Sequence, residues 1–134
     1  MTLSFINLFQ NSLYELLKTS QIFYDAGIDL YISPQQDRKC PFILINILKV
    51  ENMSIKTLKK YMIDFQICIF TKDKKQDFLF KIAEEISNLL NCENLRNNRY
   101  DVIGTNFSDI EFTSGHDSVT KKVTINYKSL IQVV

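Results

Sequence analysis

Glycine is scarce in this sequence, and the scarcity excludes a class of sites at once. A loop that cradles phosphate through its backbone needs several glycines close together. Only Gly27, Gly104 and Gly115 occur, spread along the chain. Histidine is scarcer still: His116 stands alone. It sits with Ser114 and Asp117 in a run of turn-forming residues, where local side-chain-to-backbone hydrogen bonds account for all three. A catalytic reading would need a nucleophile and a base held rigidly together. The three cysteines, Cys40, Cys68 and Cys92, are an odd set with no CxxC pair and no neighbouring histidine. Neither a disulfide framework nor a zinc site is spelled by that spacing, and reduced, buried thiols are expected.

Charge of either sign is also missing as an excess. Lys and Arg number 16 against 15 Asp and Glu, so the basic footprint of a nucleic-acid binder is absent. No stretch approaches the ~20 apolar residues of a membrane-crossing helix. Met1–Phe9 carries neither a basic n-region nor a small-residue cleavage site, so no signal peptide is expected and the protein should remain where it is made.

What is present is enough for one domain. The chain has 134 residues, 46% of them apolar, which is a typical domain size and supports a core without staples. No repeat, low-complexity segment or linker divides residues 1–134. Phe5, Ile6, Phe9, Leu13, Leu16 and Leu17 recur at helical spacing, predicting an amphipathic helix over Leu3–Thr19, capped by Thr2 or Ser4. Gly27 breaks the chain before a short extended piece, Leu30–Ile32, which Ser33-Pro34 stops. Ser33–Cys40 reads as a polar loop.

Pro41–Glu51 is apolar on both strand faces, the pattern of a strand covered on both sides. Asn52–Lys60 reads as a long hairpin connection. In Tyr61–Thr71, Tyr61, Ile63, Phe65, Ile67 and Ile69 alternate with Met62, Asp64, Gln66 and Cys68, which is strand period. Thr71 or Asp73 would cap a second amphipathic helix carrying Phe78, Leu79, Ile82, Ala83, Ile86, Leu89 and Leu90 on one face. Two more strands follow, one through Phe107, Ile110 and Phe112 with a bulge or bend expected at Gly104. The other carries Val119, Val123, Ile125, Tyr127 and Ile131, and the two should pair as a hairpin. The predicted fold is α+β: a mainly antiparallel sheet of four to five strands packed by two amphipathic helices, in the order α-β-β-β-α-β-β.

Two groups of residues invite chemistry. Asp109 and Glu111 are two apart on a strand and share a face. With Asp64 they would form a metal cluster, and hence a metal-dependent nuclease, if the strands were neighbours; a solvated strand face explains them as well. Lys56, Lys59 and Lys60 cluster in the long connection, but no aromatic residue interleaves within Ser54–Lys60 as a stacking platform for nucleic acid. A solvated loop is the first reading there, with an oligomer contact and a phosphate- or nucleic-acid-binding finger as the alternatives.

The order of elements resembles the small tail-completion proteins of long-tailed bacteriophages, also called tail terminators or head–tail joining proteins, and their gene-transfer-agent counterparts. The resemblance spans roughly Leu3 to Gln132. It runs through the N-terminal helix, the short strand ending in Ser33-Pro34 and Pro41-Phe42-Ile43-Leu44-Ile45. It continues through Tyr61–Phe70 leading into the helix with Ile82, Ala83, Ile86 and Leu89-Leu90. The strands ending Ile110-Glu111-Phe112 and holding Val123-Thr124-Ile125-Asn126-Tyr127 complete it. The resemblance implies a non-enzymatic subunit of a ring, often hexameric, that caps the tail tube and docks the filled head.

Its implied partners are other copies of itself, the tail-tube protein and the head connector protein, with no cofactor, membrane or specific nucleic acid. Its implied place is the tail–head interface of the virion, after assembly in the bacterial cytoplasm. Contacts are expected from Lys56, Lys59 and Lys60 and from Gln35, Gln36 and Arg38, in loops that would order only on assembly. Tyr61, Phe70 and Tyr127 are further candidates with an equally good core role. A small binding or adaptor module of ferredoxin-like type fits the same pattern.

Overall fold

A computed structural model describes residues 3–33, 40–72, 76–114 and 120–134. The first helix, α1 (Ser4–Lys18), buries Phe5, Phe9, Leu13 and Leu17. Their four-residue spacing makes one stripe along the helix. The predicted cap is not there. Leu3 occupies the N-cap with no side-chain bond, Ser4 already lies within the helix, and Thr2 is outside the described residues.

A short helix that the periodicity did not announce follows, α2 (Gln21–Asp25). Ser20 caps it, its hydroxyl oxygen accepting from the Phe23 N–H at 3.3 Å. At its other end Gly27 takes φ 68°. There the Gly27 N–H donates to the Tyr24 carbonyl and the Ile28 N–H to the Phe23 carbonyl. That paired closure needs a left-handed residue, which glycine supplies without a Cβ penalty. Ile28 and Phe23 are both in the core.

Five strands form one sheet: β1 (Asp29–Tyr31), β2 (Phe42–Asn52), β3 (Lys59–Thr71), β4 (Tyr100–Ser114) and β5 (Lys121–Val133), in the order β1-β2-β3-β5-β4. Every neighbouring pair except the first is antiparallel. β1 runs parallel to β2, with Asp29 opposite Phe42. Antiparallel pairing was expected of consecutive strands, but it presumes a tight turn. The connection here spans residues 32–41, long enough to bring the chain back to the same end. The expected β4–β5 hairpin pairing forms, and Gly104 lies at a register shift as predicted.

The second long helix is α3 (Gln76–Leu89), and a single turn, α4 (Cys92–Leu95), precedes β4. Of the two expected caps of α3, Thr71 is instead the last residue of β3, and Asp73 lies outside the described residues.

The core lies between the helices and one face of the sheet. Tyr61, Ile63, Phe65, Ile67 and Ile69 of β3 supply it, with Val123, Ile125, Tyr127 and Ile131 of β5. Phe5 stacks on Tyr61 at 4.5 Å between ring centroids, and Phe9 meets Phe65 edge-on at 5.4 Å. The Tyr100 hydroxyl, coming from β4, donates to Ser12 Oγ on α1 at 3.2 Å.

Opposite the core, the sheet is open. The expected two-sided burial of β2 holds for Phe42–Ile45 and then fails, because the rest of the strand is half-buried or exposed. Phe42 is covered by ring contacts with Phe70 at 4.5 Å and Tyr31 at 5.8 Å. β1 pairs only with Phe42–Leu44, so nothing among the described strands flanks the remainder.

Candidate assembly surfaces

Strand period two sends alternate residues of β2, β3, β5 and β4 to the open face, where the register aligns them in rows. One row is a ladder of amides ending in a carboxylate. Asn46 donates to Gln66 Oε1 at 3.5 Å, Gln66 donates to Asn126 Oδ1 at 3.2 Å, and Asn126 donates to Asp109 Oδ1. The ladder crosses four strands and offers no group poised for proton transfer: each side chain is spent on its neighbour.

The carboxylates singled out in the sequence do share this face. Asp109 lies opposite Asn126, Glu111 opposite Thr124, and Asp64 opposite Lys128. They are not gathered, however. β5 separates β3 from β4, Asp64 is 3.9 Å from Lys128 Nζ, and Asp109 accepts from Asn126. Among the described residues, no group of three His, Cys, Asp or Glu side chains is placed to hold a metal ion.

Two tyrosines and one thiol are perturbed, in each case first by burial. Burial raises Tyr127 to about 12, against a smaller opposing effect of its hydrogen bond with Ser87. Tyr100 is raised by burial, partly offset by its bond to Ser12. Burial pushes the Cys68 thiol up, partly offset by Lys122 and then by Thr124. A raised thiol is the opposite of an activated nucleophile. Cys68 is free and buried as expected, Cys40 is free but only half-buried, and the Cys92 side chain is outside what is described.

The lysines of the β2–β3 connection are at one end of the molecule. Lys59 and Lys60 are the first residues of β3, paired with Val133 and Gln132, and Lys56 is exposed in the turn. The connection is much tighter than the polar run suggested. Met53 N–H donates to the Lys60 carbonyl at 2.8 Å, and Ile55 and Leu58 exchange backbone bonds at 3.0 and 3.2 Å. The Ser54 hydroxyl accepts from Lys60 N–H at 3.1 Å. Asn52 Oδ1 accepts from Ser54 N–H at 2.9 Å, a side chain closing its own turn. This end of the hairpin is therefore ordered within the single chain. Gln35, Gln36 and Arg38 are outside the described residues, as are His116 and Asp117. Tyr61 and Tyr127 are buried core residues, and Phe70 stacks on Phe42.

One surface was missed in the sequence. Along the outer strand β4, Phe107 and Phe112 are 56% and 53% exposed, and Phe80 of α3 is 50% exposed. Phe80 and Phe112 meet edge-on at 5.8 Å, and Phe107 leans on Tyr127 at 6.1 Å. Beside Phe107 is a shallow groove lined by Ala83, Ser87, Phe107, Ile110, Ile125 and Tyr127. The signal was Phe80, a large apolar residue off the apolar stripe of its helix. No helix of the described residues is long and apolar enough to cross a membrane.

No protein-family profile matches the chain, and no curated protein matches it in sequence. In fold, it is similar to a chain of a solved structure described as the virion of a native gene transfer agent particle. The TM-score is 0.76 at 16% identity, over 92% of this chain and 93% of that one. At that identity the likeness is one of fold, and it runs nearly end to end in both chains.

Proposed function

We propose that this chain is a structural subunit of a phage or gene-transfer-agent virion, and that within it the chain forms the ring that completes the tail. In that role it caps the tail tube and presents the docking surface for the filled head. The observation that carries the reading is the end-to-end fold shared with a chain of a gene-transfer-agent virion. A fold alone hosts many functions, so the site must agree, and it does so in kind. The described surface offers an open sheet face, a basic hairpin and an apolar strip, all suited to protein contacts. Its carboxylates are dispersed.

On this reading the partners are further copies of the chain, the tail-tube protein and the head connector protein. Lys56, Lys59 and Lys60 serve as contact residues at the hairpin end. The protein needs no cofactor and catalyses nothing. The test is mass by light scattering, first on the chain alone and then with the tail-tube protein encoded beside it. The expected result is a closed ring, or a monomer that joins tube ends. A monomer indifferent to the tube protein would refute the tail role and favour a small adaptor module.

A further inference from the structure

The two margins of the sheet differ in how they are guarded. On one, β1 covers residues 42–44 of β2. Just beyond, the Gln10 side-chain amide donates to the Ile45 carbonyl at 3.3 Å, and the register shift between Ile47 and Lys49 breaks the margin again. Sheets blunt their edges with such covers and bulges, or with lysine and proline. The other margin is β4, and no described strand flanks it. Past its second register shift, residues 109–114 pair with residues 121–126 of β5 without a break. That stretch contains neither lysine nor proline. Alternate residues of such an outer strand turn their N–H and C=O groups away from β5.

Period two sorts the side chains of this stretch onto the two sheet faces. Asp109 and Glu111 are on the open face, and both are exposed. Ile110 and Phe112 are on the helix face, opposite the core residues Ile125 and Val123. The cations nearest in register are Lys121, Lys122 and Lys128 of β5. Lys121 stands opposite Ser114, on the helix face. Lys122 Nζ lies over the Phe70 ring, 5.5 Å from its centroid, and Lys128 Nζ is 3.9 Å from Asp64 Oδ2. Both thus lean toward β3 and away from β4. Asn126, which donates to Asp109, is neutral. On the helix face, half-exposed Phe112 rests edge-on against half-exposed Phe80.

We infer that residues 109–114 of β4 bind, as an added strand, an extended segment of a different protein in which basic and apolar residues alternate. The two faces dictate the alternation. On the open face the added strand's side chains lie beside Asp109 and Glu111, which selects Lys or Arg. On the helix face they lie beside Phe112 and Phe80, which selects apolar residues. Backbone pairing supplies the affinity and the alternating side chains the selectivity. A second copy of this chain is a poor occupant. Paired about a two-fold axis, two such stretches would gather both copies' Asp109 and Glu111 on one patch of open face with no cation between them. The β2 margin of another copy is covered, capped and bulged. Pairing at β4 goes beyond the ring reading and does not require it.

The test titrates the full chain with a short synthetic peptide alternating lysine with valine, followed by backbone amide NMR and hydrogen exchange. Saturable binding is expected, with exchange slowed at alternate amides within residues 109–114. Replacing the peptide's lysines by glutamates should raise Kd about tenfold or more, and so should Glu111→Lys against the lysine peptide. Circular dichroism should show that variant folded, because the Glu111 side chain is exposed. The peptide charge swap tests the same contact without altering the protein. Binding that leaves those amides unprotected, protection confined to other strands, equal affinity for the glutamate peptide, or no saturation at millimolar peptide would each overturn the inference. Each of these results leaves the ring reading standing, since that reading is judged by light scattering with the tail-tube protein.

Discussion

The side-chain amide of Gln66 donates to the Asn126 carbonyl oxygen at 3.2 Å, across the joint between β3 and β5 on the open face of the sheet. The bond sits within a ladder from Asn46 to Asp109, so its members polarise one another. Truncating either residue to alanine should cost about 1 kcal/mol, as expected for a half-buried bond that water can partly replace. The double variant should cost less than the sum, with a coupling of about 0.5–1.5 kcal/mol in urea denaturation. Strict additivity would show that the amides act independently.

Aromatic residues divide between core and surface, and stability should report the division. Phe9 is fully buried against Phe65 and Tyr100. Phe9→Ala should cost about 3–5 kcal/mol through lost burial and a residual cavity. Phe107→Ser and Phe80→Ser remove side chains that are half exposed, and each should cost about 1 kcal/mol or less. Equal losses at Phe9 and Phe107 in denaturant titrations would contradict the assignment of Phe107 to a contact surface.

A side chain at Gly27 should be strained for backbone reasons alone. Its φ is 68° and no atom lies within 4 Å of where a Cβ would stand. Gly27→Ala should therefore destabilise by about 1 kcal/mol, and Gly27→Asn by less, because asparagine accepts the left-handed region more readily. Thermal unfolding of the two variants checks the order.

Alkali should weaken the fold through Tyr127. Its phenol is held at about 12, above the ordinary value of 10.0, chiefly by burial. A folded-state value above the unfolded one favours the neutral form. The associated stability is thus fully present below about pH 10 and is lost as pH rises through 12. Tyr127→Phe cannot ionise, so its stability should fall less steeply across that window. Parallel slopes for the two proteins in pH-dependent denaturation would assign the alkaline loss elsewhere, for instance to Tyr100 or Cys68.

Most of the layered architecture was legible in the residues, because burial imposes period. The alternation of Tyr61 to Ile69 and the four-residue stripe of Phe5 to Leu17 identify strand and helix unaided. Short elements escaped. α2 has too few residues to show a period, and its signals were the Ser20 cap and Gly27 rather than its apolar residues. The parallel placement of β1 and the insertion of β5 between β3 and β4 were not legible, since sequence order does not fix spatial order across long connections. The candidate surfaces were half visible. Lysines at 56, 59 and 60 mark the hairpin. The Phe107 and Phe112 strip reads as ordinary strand until the structure shows that these rings stay half exposed at an edge.

Electron microscopy of tail tubes assembled with and without the purified chain tests the tail-completing role most directly. In that role the chain ends each tube in a closed ring of its own copies and halts growth at that end. Tubes of the same length and the same bare ends, with the chain left free in solution, would contradict it.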